Sequence, residues 1–348
     1  MTGCRDVNRH ADTGMLTRKK SMNSNSAPGK RSPEAFNIRY VAAGLNRPEC
    51  VLATASGNLY TSDWTRGIAR ISPDGAVSGA VDPSVIERKL LPNGFAMTRE
   101  LSFLFANLGE DGGVWSASRE KPAQPFLMEA DGRKIPPANF VWIDPLDRIW
   151  ITVSALTRSH PYFSRNEKEG FIVLVDRGSA RIVADGLTWT NELRMSPDRR
   201  YLYVNETFAG RTARYRVADN GDLHDKFDIQ MPPGTFPDGM AVDQQGGIWT
   251  ICVVSGRLVR IDPSGSFEIV LEDFEQSKID ALCAAFPAGE VTRDLIVASK
   301  GKYLDNPSSI AFGGKDRKTL YMGSISASRL VAIDLPVAGL KPAHWEWA

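Results

Sequence analysis

The chain has 348 residues, of which 42% are apolar and 24% charged, and its formal net charge is +1. Such a balance belongs to an ordinary globular protein and excludes a polybasic surface for nucleic acid or membrane. No apolar run approaches the ~20 residues that cross a bilayer, and H-E-x-x-H, G-x-S-x-G, Walker and G-x-G-x-x-G motifs are all missing.

Residues 1–35 are polar, with a Lys/Arg cluster followed by a Ser/Asn/Gly/Pro tract. They offer too little apolar surface to offset the entropy of ordering and are expected to form a disordered tail. No apolar segment follows the basic cluster, so the tail is not a secretory signal, and a cytoplasmic protein is expected. Residues 36–348 are expected to form one domain.

From Asn37 onward a pair of apolar or aromatic residues recurs in the same local setting. The pairs are Leu59–Tyr60, Leu104–Phe105, Ile149–Trp150, Leu202–Tyr203, Ile248–Trp249 and Leu320–Tyr321, at intervals of 45, 45, 53, 46 and 72 residues. Turn sequences accompany them, SPDG at 72–75, DPLD at 144–147, SPDR at 196–199 and DPSG at 262–265. The repeat is clearest over 236–265, where Met240–Val242, Ile248–Val254 and Arg257–Asp262 read as strands between tight turns. A period of 40–50 residues with several short strands per repeat is that of a β-propeller blade. The predicted fold is all-β, a six-bladed propeller of four-stranded blades. The strand-like segments 38–44 and 330–336 are expected to share one blade and close the ring. Two segments break the period: a long loop over 154–170, and a stretch from about 269 to 307 whose FEQSKIDALCAAF suits a helix. Chain direction puts both at the same end of the ring, where they are either a cover or surface decoration.

Aligning the first strand of each repeat gives ECVLA, NGFAM, NFVWI, NELRM, DGMAV and SSIAF. Each begins with a side chain offering oxygen: Glu49, Asn93, Asn139, Asn191, Asp238 and Ser308. The innermost strand of a blade lines the central channel, so these six positions face one axis. Carboxylate and amide oxygens are hard ligands, and two buried acids need a compensating cation. Glu49, Asn191 and Asp238 are therefore the expected metal ligands, with Asn139 a further one. Ca2+ suits them best, Mg2+ or Mn2+ can substitute, and Zn2+ is less favoured for want of His or Cys. Asn93, which precedes Gly94, also suits a turn, and Ser308 suits a capping or solvated position. The cysteines Cys4, Cys50, Cys252 and Cys283 are scattered without a C-x-x-C pair and read as buried or incidental thiols.

ECVLA after Arg47–Pro48, NELRMSPDRRYLYVNET, FPDGMAVDQQGGIW followed by GRLVRIDPSG, and AFGGKDRKTLYMGS together resemble the SMP-30/gluconolactonase/luciferin-regenerating-enzyme family over roughly 38–336. The resemblance implies a six-bladed propeller that holds a divalent metal and hydrolyses a lactone or related ester. It places the family's metal ligands on Glu49, Asn191 and Asp238, and a further asparagine, touching metal or substrate, on Asn139. The chain also departs from the pattern. Where sugar-lactone enzymes of the family often carry Arg-x-Asn-Asp-Gly, residues 137–141 read Pro-Ala-Asn-Phe-Val, and Glu192 stands where the family prefers Gly. A lactone less polar than a sugar lactone is therefore expected, contacting Asn93, Asn139 and Phe140, with Trp142, Tyr162 and Phe163 as further lining. Asp238 is expected to serve as both ligand and general base. The partner is a small-molecule lactone or ester, with no nucleic acid and no membrane. The rival readings are an enzyme resembling the metal-independent strictosidine-synthase-like propellers, and a propeller that binds partners without catalysis.

Overall fold

A computed structural model describes residues 32–156 and 168–348, and the backbone alone of 162–163. Six antiparallel four-stranded sheets are arranged as blades around an axis. Their inner strands are Val51–Ala53, Pro92–Met97, Phe140–Ile143, Thr190–Met195, Pro237–Val242 and Pro307–Gly313. From blade two to blade six successive inner strands touch, the last touches the first, and Leu59–Asp63 of blade one touches the inner strand of blade two, so the ring is closed. The three strands read over 236–265 are present, with the second ending at Cys252 rather than Val254.

The recurring pair has a physical cause. Side chains alternate across a strand, so two neighbours point into opposite faces of the blade. Leu104 packs into the core between blades two and three, and Phe105 into the core between blades one and two. Ile151 and Trp150 divide in the same way, as do Leu202 with Tyr203 and Ile248 with Trp249. Each repeat thus fills one half of two interfaces, and no blade is complete until its neighbours are in place.

A second device fixes the turn after two of the inner strands. Asp144 Oδ2 accepts from Trp150 Nε1 at 2.9 Å and from Arg148 Nε at 2.7 Å. Asp243 Oδ2 accepts from Trp249 Nε1 at 2.9 Å and from Arg260 Nε at 2.7 Å. The indole is thereby packed into the core while its N–H remains satisfied.

The ring closes as the sequence predicts. Arg39–Val41 pairs with Leu330–Asp334 as the outer strand of blade six, in register Arg39↔Ala332 and Val41↔Leu330. Arg39 adds a two-pronged ion pair to Asp334, at 2.5 and 2.7 Å. Residues 1–31 of the expected tail lie outside the described residues. Pro33–Ala35, which the sequence also placed in the tail, form a short 3-10 turn, and Glu34 accepts from the Tyr303 hydroxyl at 2.8 Å.

Both departures from the period lie at one end of the ring. The strand Tyr162–Phe163 of the first pairs with Val291–Thr292 of the second. The second contains the expected helix, Gln276–Ala285, and a shorter one, Arg293–Ala298, capped by Thr292. Ile279, Leu282 and Ile296 from these helices pack on Phe208, Phe236 and Val254, which rise from blades four and five. Three backbone N–H groups, of Lys302, Tyr303 and Leu304, converge on the Asp273 carboxylate and anchor the return to blade six.

Candidate functional site: an acid and amide ring at the channel mouth

Four inner strands begin with a register shift, between Pro92 and Phe95, Thr190 and Leu193, Pro237 and Met240, and Pro307 and Ser309. Each shift encloses one of the six oxygen-bearing residues, and in the first three its successor as well. A bulge of this kind breaks the alternation of side chains and re-aims the bulged residue, here toward the axis. In two blades the successor must be glycine because the adjacent inner strand lies against it. A Cβ on Gly94 would stand 2.7 Å from the Phe140 Cα, and one on Gly239 would stand 2.3 Å from the Ser309 Cα.

Glu49, Asn93, Asn139, Asp238 and Ser308 are buried at this end of the channel, and Asn191 is half-buried. Asn191 Nδ2 donates to Thr207 Oγ1 at 3.2 Å, and its amide lies close enough to the Asp238 carboxyl to favour the charged form. The Thr207 contact uses its amino group, so its amide oxygen stays available to a cation. Burial, then the charges of Glu49 and Glu192, push the Asp238 carboxyl well above the usual carboxylate range, against the pull of Arg47 and Asn191. Asp238 Oδ1 is buried without a hydrogen-bond partner.

Two residues of the site escape sequence reading. Arg47 is buried beside Glu49, with its guanidinium 4.6 Å from the Trp64 ring centroid. Its Nη1 donates to Glu49 Oε2 at 2.5 Å and to Asn93 Oδ1 at 2.8 Å, while Nε has no partner. Its backbone is left-handed, with φ 56°. Glu192 is the second. In the bulge of blade four it stays on the channel side, where its carboxylate accepts from Met240 N at 3.0 Å and Arg194 Nη2 at 3.1 Å. Burial raises its pKa and Arg194 opposes the rise. The glycine-to-acid departure noted in the sequence thus adds a third carboxylate just below the ring.

The other expected site residues have distinct places. Asn93 Nδ2 donates to the Asn139 carbonyl at 2.8 Å, so this amide ties blade two to blade three. Ser308 Oγ donates to the Glu49 carbonyl at 3.1 Å, a capping role. Phe140 and Trp142 do not line the acceptor mouth. Strand alternation takes Phe140 into the core between the first three blades, and both rings border a separate cavity at the other end of the channel. The side chains of Tyr162 and Phe163 lie outside the described residues. Cys50 and Cys252 are buried free thiols, and Cys283 is partly exposed.

The donor set fits a divalent cation. Two carboxylates and an amide oxygen meet where one carboxylate oxygen is orphaned and the Arg47 guanidinium relieves their mutual repulsion only in part, and all are hard donors. Among the described residues no three His, Cys, Asp or Glu cluster closely enough to hold a metal without an amide oxygen. No helix among the described residues is long and apolar enough to cross a membrane.

Comparison with known proteins agrees with this architecture. The chain is 27% identical over 203 residues to a 6-deoxy-6-sulfogluconolactonase of Pseudomonas putida, a match covering 57% of each chain. It thus spans less than two thirds of that relative. A gluconolactonase from Xanthomonas campestris superimposes with a TM-score of 0.65 at 18% identity, covering 86% of this chain and 90% of its own. A calcium-binding protein, regucalcin, from Agrobacterium tumefaciens superimposes with a TM-score of 0.65 at 16% identity, covering 89% and 98%. At these identities the superpositions establish the six-bladed fold. Residues 47–301 match the SMP-30/Gluconolactonase/LRE-like region, which is most of the propeller, and the chain belongs to that family.

Proposed function

We propose that this protein hydrolyses a lactone at the acid and amide ring, with a divalent cation held by Glu49, Asn191 and Asp238. Ca2+ matches the donors best, and Mn2+ or Mg2+ can replace it. The observation that carries the reading is the meeting of these three side chains at one mouth with Asp238 Oδ1 unpartnered. Lactonases among the relatives support the reaction class.

A bound divalent ion polarises an ester carbonyl and acidifies water. Glu49, Asn191 and Asp238 would hold the ion. The Asp238 carboxylate would take a proton from the attacking water. As the ring C–O bond breaks, that proton passes to the departing oxygen. The product is a hydroxy acid, and Asp238 is restored as a carboxylate. Asn139 steadies the carbonyl end of the substrate, and Asn93 holds Arg47 away from it. The helical segment brings Arg293 within electrostatic reach of Glu49 and Arg47. The absent Arg and Asp in 137–141 favour a lactone less polar than a sugar lactone.

A pH-stat panel of sugar and hydrophobic lactones tests the proposal, run on metal-stripped protein with Ca2+ or Mn2+ added back. Turnover is expected to require the ion, and Asp238→Ala is expected to lose at least about a thousandfold in rate while keeping the native circular dichroism. A wild-type rate in chelator would remove the mechanism.

A further inference from the structure

The far end of the channel holds a second chamber, of about 390 Å³. That volume lies in the range of small-molecule sites. Arg194, paired with Glu192, borders it, and none of the ring residues Glu49, Asn191 and Asp238 lines it. Its walls are the lower halves of the inner strands, with Phe95, Phe140 and Phe312 among them. Its floor is the C-terminal segment 339–348. This strap is tied to blade five by Leu340 N on the Val242 carbonyl at 2.7 Å, and to blade one by Ala55 N on the Trp345 carbonyl at 2.7 Å. Arg317 Nε holds the Gly339 carbonyl at 3.1 Å, and Arg99 lies over Trp347. His344 faces the chamber from the strap.

The charges around this chamber are all of one sign. Among the described residues no Asp or Glu lines it, whereas Arg194, Arg199 and Lys341 do. Arg194 is already compensated by Glu192 and lies 4.9 Å from the Phe140 ring centroid, inside the chamber. Lys341 is paired with Glu346 at the surface. Arg199 is exposed, with no carboxylate partner among the described residues. An apolar interior with an unpaired cation at its opening suits a molecule with an apolar body and one anionic end.

We propose that this chamber is a binding site for a hydrophobic monocarboxylate, its hydrocarbon among Phe95, Phe140 and Phe312 and its carboxylate on Arg199. The site is independent of the acid and amide ring and of the reaction assigned there.

Displacement of 1-anilinonaphthalene-8-sulfonate, together with calorimetry, tests this with decanoate, decanol and decyltrimethylammonium as probes. Decanoate is expected to bind at least tenfold more tightly than decanol, and the cation more weakly than either. Arg199→Glu, a surface change outside the core, is expected to abolish the preference for decanoate over decanol. Ala311→Phe, which fills part of the chamber, is expected to weaken both. Asp238→Ala is expected to leave decanoate binding unchanged. Equal binding of the three probes, or an unchanged preference in Arg199→Glu, overturns the proposal. Loss of decanoate binding in Asp238→Ala also overturns it, because the ligand would then occupy the ring.

Discussion

The most informative perturbation is Arg47→Met. In the structure the Arg47 guanidinium bridges Glu49 Oε2 and Asn93 Oδ1 at 2.5 and 2.8 Å and stacks on Trp64. A divalent ion ligated by Glu49 must compete with this guanidinium for the same carboxylate. A hydrogen bond to a charged group contributes roughly 1.5–3 kcal/mol net, and each 1.4 kcal/mol is about tenfold in affinity. Methionine keeps the contact with Trp64 and removes the competitor, so the cation should bind roughly ten- to hundredfold more tightly. The metal-free protein should pay a cost in the other direction. Breaking a buried ion pair leaves Glu49 beside Asp238 and Glu192 without its counter-charge, a loss of roughly 3 kcal/mol. Calorimetric titration of metal-stripped protein with Ca2+ and Mn2+ reads the first effect, and thermal melts with and without the ion read the second. Trp64 fluorescence should change on ion binding in the wild type. Unchanged or weaker ion binding in Arg47→Met would refute the competition.

Three further expectations concern the fold. Asp243→Ala strands the Trp249 indole N–H and the Arg260 guanidinium and should cost roughly 3–5 kcal/mol, read as a lower urea midpoint at unchanged slope. Gly239→Ala places a methyl 2.3 Å from the Ser309 Cα, so blades five and six must part; a loss of roughly 1–3 kcal/mol or more is expected by thermal melting. His344 is held down to about 4, by burial first and by Arg194 second. A histidine charged in the unfolded chain from about pH 6.5 but neutral in the folded one down to about 4 makes folding less favourable as pH falls across that window. His344→Gln should flatten the fall in melting temperature between pH 7 and pH 4.5, and an unchanged slope would place the effect elsewhere.

The wheel was legible because its cause is periodic. Each aromatic pair serves two inter-blade cores, so the pattern appears once per blade, and the segments at 38–44 and 330–336 could be assigned to one sheet by their strand character alone. The ring of oxygen donors was legible for the same reason, since equivalent positions in a rotational repeat face a common axis. What could not be read depends on breaks in that regularity. Glu192 enters the channel only because a bulge suspends the alternation that would turn it away. Alternation does hold at Phe140, which therefore packs beneath the ring and not at the mouth. Arg47 precedes the aligned strand and reaches Glu49 from a left-handed backbone that no repeat position marks. The C-terminal strap has no counterpart in any blade, so the chamber it floors had no signal in the period.

The pairing of Arg39–Val41 with Leu330–Asp334 has a consequence for synthesis. During translation the first of these strands leaves the ribosome nearly three hundred residues before its partner. Until Pro307–Gly313 and the strands after it follow, blade six has only this outer strand, and the exposed flanks of blades one and five must be kept from other chains. A nascent chain halted before Pro307 would hold an open arc, and the stretch from Pro307 to Asp334 decides whether it becomes a closed circle or a substrate for quality control.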